Sequence, residues 1–168
     1  MRDSGFIPQE SFPGAKARWL CKCSKCGKLV KPAYSNVLQG SGCIFCNRDG
    51  GTWDSKKPGY LYLIHHSHLN ALKIGITHQL QLKKGRMADH YRNGWALMNS
   101  LAFSQAIDAF EIEQQILDFF QEEGLQPFLK PDDLPQGGWT ETVDASEIDA
   151  ETIWNKVLEY SKVEKEEV

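Results

Sequence analysis

Two CxxC units within 24 residues constrain this chain most. All five cysteines lie between positions 21 and 46; Cys23 and Cys26 form one pair, Cys43 and Cys46 the other, with sixteen residues between the pairs. That spacing matches a four-thiolate zinc site. A tight turn inside each pair lets both sulfurs reach one ion about 2.3 Å away. Gly27 follows the first pair, and Gly40 and Gly42 precede the second, supplying backbone that turns easily. Disulfides are the competing reading. An odd cysteine count and an opening, MRDSGFIPQESFPG, with no apolar leader core argue for a cytoplasmic chain with reduced thiols. Cys21 alternates with Cys23 along RWLCKC and reads as a small buried thiol, because structural zinc is four-coordinate. A module this small draws much of its stability from the metal, on the order of 10 kcal/mol.

Charge is divided unevenly along the chain. Residues 1–50 carry eight Lys and Arg against three Asp and Glu, residues 51–104 seven against two, and residues 105–168 four against seventeen. A basic front and an acidic back fit a protein that meets a polyanion with one side, although acidic helices can also be plain solvated faces. Between the cysteine pairs lie Lys25, Lys28, Lys31 and Tyr34. The lysines suit phosphates, and Tyr34 either stacks on a base or covers the zinc site. No apolar run approaches the roughly 18 residues that would span a membrane.

The segment NRDGGTWDSKKPG, 47–59, is rich in Gly, Asp, Ser and Pro and reads as a linker, with Trp53 as an anchor to either side. The division that follows is a zinc-binding module over 1–50, a linker over 51–58, a second domain over 59–145, and an acidic helix and tail over 146–168. The expected class is α+β: a small antiparallel or mixed sheet flanked by helices, preceded by the zinc module.

GYLYLI and ALKIGIT predict strands over 59–65 and 71–77 joined as a hairpin through HSHLN. Strand alternation places Tyr60, Tyr62 and Ile64 on one face, and Lys73, Gly75 and Thr77 on one face of the partner strand. The pattern suggests a half-buried sheet showing Tyr, Lys, Gly and Thr. Gly75 leaves room beside Lys73 for a phosphate or another side chain. His65, His66 and His68 read as an exposed loop. Helical spacing runs from about 80 to 92 and puts Arg86 and His90, four apart, on one face. An arginine offers a fork of donors suited to phosphate, and a histidine exchanges protons near neutral pH. A strand over 95–103 leads to Ser104, the expected N-cap of a helix over 105–123 that ends at Gly124. Glu113 falls on that helix's apolar stripe, where a carboxylate requires a cation partner. GGWTETV reads as an edge strand containing Glu141, and a last helix is expected over 146–162.

Taken together these motifs resemble the GIY-YIG nuclease family, in the branch whose second motif reads KIG. GYLYLI is similar to the first motif, with Tyr62 in the place of its tyrosine. KIGIT is similar to the second, with Lys73 where many members carry tyrosine. Arg86 and His90 match the arginine and histidine of the first helix, and Glu113 in AFEIEQQIL matches the metal-binding glutamate. The resemblance spans about 58–145, and the cysteine segment is similar to treble-clef-like zinc modules that accompany such domains. It implies a DNA endonuclease that hydrolyses one strand per active site. In it Glu113 holds Mg²⁺ or Mn²⁺, Arg86 neutralises charge on the phosphate, Tyr62 with Lys73 assisting is the base, and His90 is a second candidate base. It also implies structural zinc at Cys23, Cys26, Cys43 and Cys46, DNA as partner, and a monomer or transient dimer. The rival readings are a non-catalytic zinc-containing nucleic-acid-binding protein with a degenerate nuclease fold, and an adaptor using the acidic C-terminal helix.

Overall fold

The computed structural model describes residues 1–46, 54–81, 83, 85–125, 127–135 and 137–166. Residues 47–53, with Trp53 and the first part of the expected linker, lie outside the described residues. The chain divides into two compact units, Met1–Ser55 and Lys56–Val168. No helix among the described residues is long and apolar enough to cross a membrane.

The first unit contains a three-stranded antiparallel sheet in the order β1 (Phe6–Pro8), β2 (Cys21–Cys23), β3 (Leu29–Val30), followed by a short helix α1 (Tyr34–Leu38). Alternation along β2 turns Cys21 and Cys23 inward, as the sequence suggests, and they join Phe6, Val37 and Cys43 in a small core.

The second unit is built on a four-stranded antiparallel sheet in the order β6-β4-β5-β7, from β4 (Gly59–His66), β5 (Ala71–Thr77), β6 (Ala96–Phe103) and β7 (Thr142–Asp144). The expected hairpin is present. Tyr62 faces Gly75 and Ile64 faces Lys73, so the two polar-bearing sets share one face. The other face carries Leu61, Leu63, Ile74 and Ile76, and α3 (Ala106–Glu122) covers it. A Cβ on Gly59 would lie 2.7 Å from that of Ala106, so the glycine admits the helix start. Helix α4 (Ala150–Glu166) packs on α3.

Several local expectations change. The centre of the sheet is not half-buried: every residue of β5 is buried, Lys73 included, while the edge strand β6 stays exposed or partly so. On the Tyr62 face the cover consists of Met87 from α2 (Arg86–Arg92), Trp95, and Leu129 and Leu134 from the segment before β7. Helix α2 begins at Arg86 rather than near 80, because Gly85 (φ 82) breaks the helical run there. Strand β4 continues through His66, whose Nε2 lies 2.9 Å from the Asn93 carbonyl, so His65 and His66 belong to the sheet and not to its turn. Gln105, not Ser104, occupies the N-cap of α3, with no side-chain cap bond. That helix ends as expected, with Gly124 left-handed and the Leu125 N–H donating to the Phe120 carbonyl. Trp139–Glu141 form a 3₁₀ turn ahead of β7, which shortens the expected strand and moves Glu141 out of it. Helix α4 starts after Asp149, whose carboxylate accepts the Thr152 N–H at 2.7 Å.

Candidate metal centre and candidate active site

The ligand atoms of Cys23, Cys26, Cys43 and Cys46 lie within 4.8 Å of one another. Cys23 and Cys46 sulfurs are 3.6 Å apart, and Cys26 and Cys43 sulfurs 3.7 Å. A tetrahedron with Zn–S bonds of about 2.3 Å has edges of about 3.8 Å, so the spacing fits one zinc ion. The turns behave alike. Gly27, at φ 72, closes the first by donating to the Cys23 carbonyl, and Cys46 N–H donates to the Cys43 carbonyl in the second. In each pair the two following amides point back at the first sulfur: Lys25 and Cys26 at Cys23, Phe45 and Cys46 at Cys43. Burial pushes the Cys23 thiol up, but those amides together with the Cys46 and Cys43 sulfurs outweigh it and bring it down to about 6. The Cys26 sulfur, burial and the other sulfurs push Cys46 up to about 12, so without a cation the four sulfurs compete for one negative charge. Cys21 is fully buried and stands outside the cluster.

Lys25, Lys28 and Lys31 are exposed on the same unit. Lys28 Nζ sits 4.1 Å over the Phe45 ring, and Lys25 lines the hollow beside Cys43 and Cys46. Tyr34 is not among the described side chains packed on the cysteine core. It meets Phe12 edge-on instead, with centroids 5.7 Å apart, and Trp19 lies at 6.5 Å.

In the second unit the five singled-out residues come from four elements: Tyr62 from β4, Lys73 from β5, Arg86 and His90 from α2, and Glu113 from α3. Tyr62 is wholly buried, its ring above Gly75, where an added Cβ would lie 2.5 Å from the Tyr62 oxygen. The other side chain that Gly75 admits is therefore this tyrosine. Tyr62 Oη and His90 Nε2 are 3.1 Å apart, and Trp95 flanks the imidazole. Lys73 Nζ is ion-paired with Glu141, and Gly138 makes the space for that pair. Glu141 is the residue that sequence reasoning left unassigned. The sequence carried no advance signal for it, because the pattern placed Lys73 on a half-buried face where an ammonium needs no partner.

Burial pushes the Tyr62 phenol well above its usual range. Arg86 opposes that shift, and Glu141 and Glu113 add to it. Lys73, expected to assist the phenol, has its ammonium ion-paired with Glu141. His90 is driven down to about 3 by burial and then by Lys73 and Arg86, so it is a neutral imidazole. Glu113, 6% exposed, is raised to about 8 by burial and by Glu141, against Lys73 and Arg86. Charge therefore couples Glu113 to Glu141, Lys73 and Arg86, and Tyr62 to Arg86, Glu141 and Glu113, while direct contacts join Tyr62 to His90 and Lys73 to Glu141. Among the described residues the hydrogen bond to the Glu113 carboxylate comes from Gln114, at 3.3 Å. Burial holds Glu113 toward its neutral form, and Glu141, whose charge adds to that, is itself ion-paired with Lys73.

No protein-family model, no curated protein and no solved structure matches the chain.

Proposed function

We propose that the Lys56–Val168 unit is a divalent-metal-dependent endonuclease that hydrolyses phosphodiester bonds of DNA, one strand per active site, and that the zinc-bearing unit adds DNA affinity. The observation that carries this reading is Glu113, a nearly enclosed carboxyl group on the apolar stripe of α3 that feels the charges of Glu141, Lys73 and Arg86, in the same unit as the hydrogen-bonded Tyr62–His90 pair. Glu113, with Glu141 nearby, would hold Mg²⁺ or Mn²⁺. When bound, that ion supplies Lewis-acid polarisation of the phosphate and stabilises the departing oxygen. Arg86, exposed at the start of α2, meets the phosphoryl oxygens.

The proton route differs from a tyrosine assisted by lysine. Tyr62 holds its own proton, and neutral His90 accepts it through Nε2. Tyr62 then takes a proton from the attacking water as it passes its own on. A phosphodiester against Arg86 cancels part of the positive charge that depresses His90, which raises its basicity when substrate is present. A Mg²⁺-dependent nicking assay on supercoiled plasmid tests the reading, with Glu113→Ala as the inactive control. Nicks ahead of linear product are expected for a monomer, and equal cleavage by Glu113→Ala would overturn it.

One observation favours a second reading, a non-catalytic nucleic-acid-binding protein: Tyr62 and His90 have no exposed surface. DNA binding without metal-dependent nicking would select it.

A further inference from the structure

We propose that Phe12, Trp19 and Tyr34 form a stacking platform for the unpaired bases of a single DNA strand. The proposal rests on the reading of this chain as one that acts on DNA, and it assigns the first unit a preference that phosphate contacts alone do not give.

The three rings meet edge-on, with centroids 5.0, 5.7 and 6.5 Å apart. None is stacked flat on another, so they fix one another while leaving ring surface for a flat partner. Phe12 is 55% exposed, far more than a core role requires. The loop that carries it is nonetheless held firmly. Gln9 N–H donates to the Leu20 carbonyl, Leu20 N–H to the Glu10 carboxylate at 2.9 Å, and the Trp19 indole N–H to the Glu10 carbonyl at 3.0 Å. Ser35 N–H donates to the Ala15 carbonyl, which ties the loop to the start of α1 beside Tyr34. An exposed aromatic on an anchored loop has already lost the freedom that binding would otherwise remove.

Charge decides what the platform faces. From Glu10 to Cys46 the chain has six Lys and Arg and one acid, Glu10, whose carboxylate accepts the Leu20 N–H. A zinc ion on four thiolates contributes a net −2, so the segment stays cationic. Lys16 and Arg18 lie on the same loop, and Arg18 pairs across to Ala33, next to Tyr34. Aromatic faces beside cations match a strand that offers base faces and phosphates together. A duplex hides its base faces in the stack, so the partner is unpaired.

The test uses the full zinc-loaded chain, fluorescein-labelled oligo(dT) and a duplex of equal length, with no divalent cation added. Phe12→Ala is expected to weaken oligo(dT) binding about tenfold and duplex binding less than twofold. Phe12→Tyr should restore single-strand affinity. Retention of one zinc per chain shows that Phe12→Ala is folded. Oligo(dT) should also quench tryptophan fluorescence, and Trp19→Phe should remove most of that quenching. Equal losses on both DNA forms, no loss, or displacement of oligo(dT) by a proline-rich peptide would each overturn the proposal. Plasmid nicking combined with unchanged binding by Phe12→Ala sinks the platform and leaves the nuclease reading standing. Single-strand binding that depends on Phe12, without nicking, does the reverse.

Discussion

The ammonium of Lys73, without exposed surface in the middle of β5, is paired with the carboxylate of Glu141, 68 residues further along the chain. The pair ties the segment before β7 across the sheet. Gly138 sits where a Cβ would be 2.6 Å from Lys73 Nζ, so the chain there is shaped around the ammonium. Breaking such a pair leaves a buried charge uncompensated, and Glu141, at 24% exposure, softens the cost only partly. Glu141→Gln is expected to destabilise the second unit by about 2–3 kcal/mol in urea unfolding. Lys73→Met combined with Glu141→Leu should recover most of that loss. A double variant no more stable than Glu141→Gln would show that the pair is not the clamp.

Gly75 and Tyr62 form a matched set of a different kind. A methyl group at 75 would lie 2.5 Å from the phenol oxygen and 2.6 Å from the carbon that bears it. Gly75→Ala must therefore push the ring off its present place and stretch the 3.1 Å contact with His90. Overpacking of this size costs about 1–3 kcal/mol. Nicking should fall further, by about 100-fold, because displacing a reacting group by an ångström has that scale of effect. In a Tyr62→Leu background the same substitution should cost less than half as much stability. Additive losses in that cycle would refute the steric account.

The sequence revealed the pieces of this site better than their surroundings. The CxxC spacing and strand parity depend on local geometry, and both could be read directly: Cys21 and Cys23 turn inward together, and Tyr62, Ile64, Lys73 and Gly75 share a face. Glu113 on the apolar stripe was equally legible, because helical period is local. The burial of β5 was not. It depends on Met87, Leu129 and Leu134 closing over the Tyr62 face, and no pattern within β5 encodes that cover. The same distance in sequence hid Glu141. Arg86 at the first turn of α2, rather than inside a longer helix, follows from Gly85, which lies within the run of helical spacing expected from about 80 to 92.

Zinc removal should affect the two units differently. The cysteine core is small, and four thiols held 3.6 to 3.7 Å apart in its closest pairs lose their reason to converge without a cation. The sheet of the second unit has its own core. Chelation, or Cys43→Ser with Cys46→Ser, is expected to unfold Met1–Ser55 and to leave the main thermal transition of Lys56–Val168 within a few degrees. Cys21→Ala should keep one zinc per chain and lose only packing, about 1–2 kcal/mol. Zinc stoichiometry by atomic absorption, read beside circular dichroism, checks both. Loss of metal in Cys21→Ala would make that thiol a ligand after all.

The pH dependence of stability follows from two buried groups whose shifts oppose one another. His90 has its value lowered from 6.5 to about 3, so the unfolded chain binds a proton that the folded chain refuses. Its contribution is complete above pH 6.5 and is lost as pH falls toward 3. Glu113 is raised from 4.5 to about 8, so the folded chain holds a proton that the unfolded chain releases. Its contribution is complete below pH 4.5 and is lost as pH rises toward 8. Between 4.5 and 6.5 the slopes cancel. Between 6.5 and 8 only the glutamate acts, and the metal-free second unit should lose about 2 kcal/mol there, at roughly 1.4 kcal/mol per pH unit. Glu113→Gln should abolish that decline, because the amide keeps the neutral shape at every pH. Saturating Mg²⁺ or Mn²⁺ should flatten it in the unaltered chain by holding the carboxylate ionised in the folded state. Urea unfolding at half-unit steps of pH, with and without the cation, reads all three. A decline that persists unchanged in Glu113→Gln would place its source elsewhere in the unit.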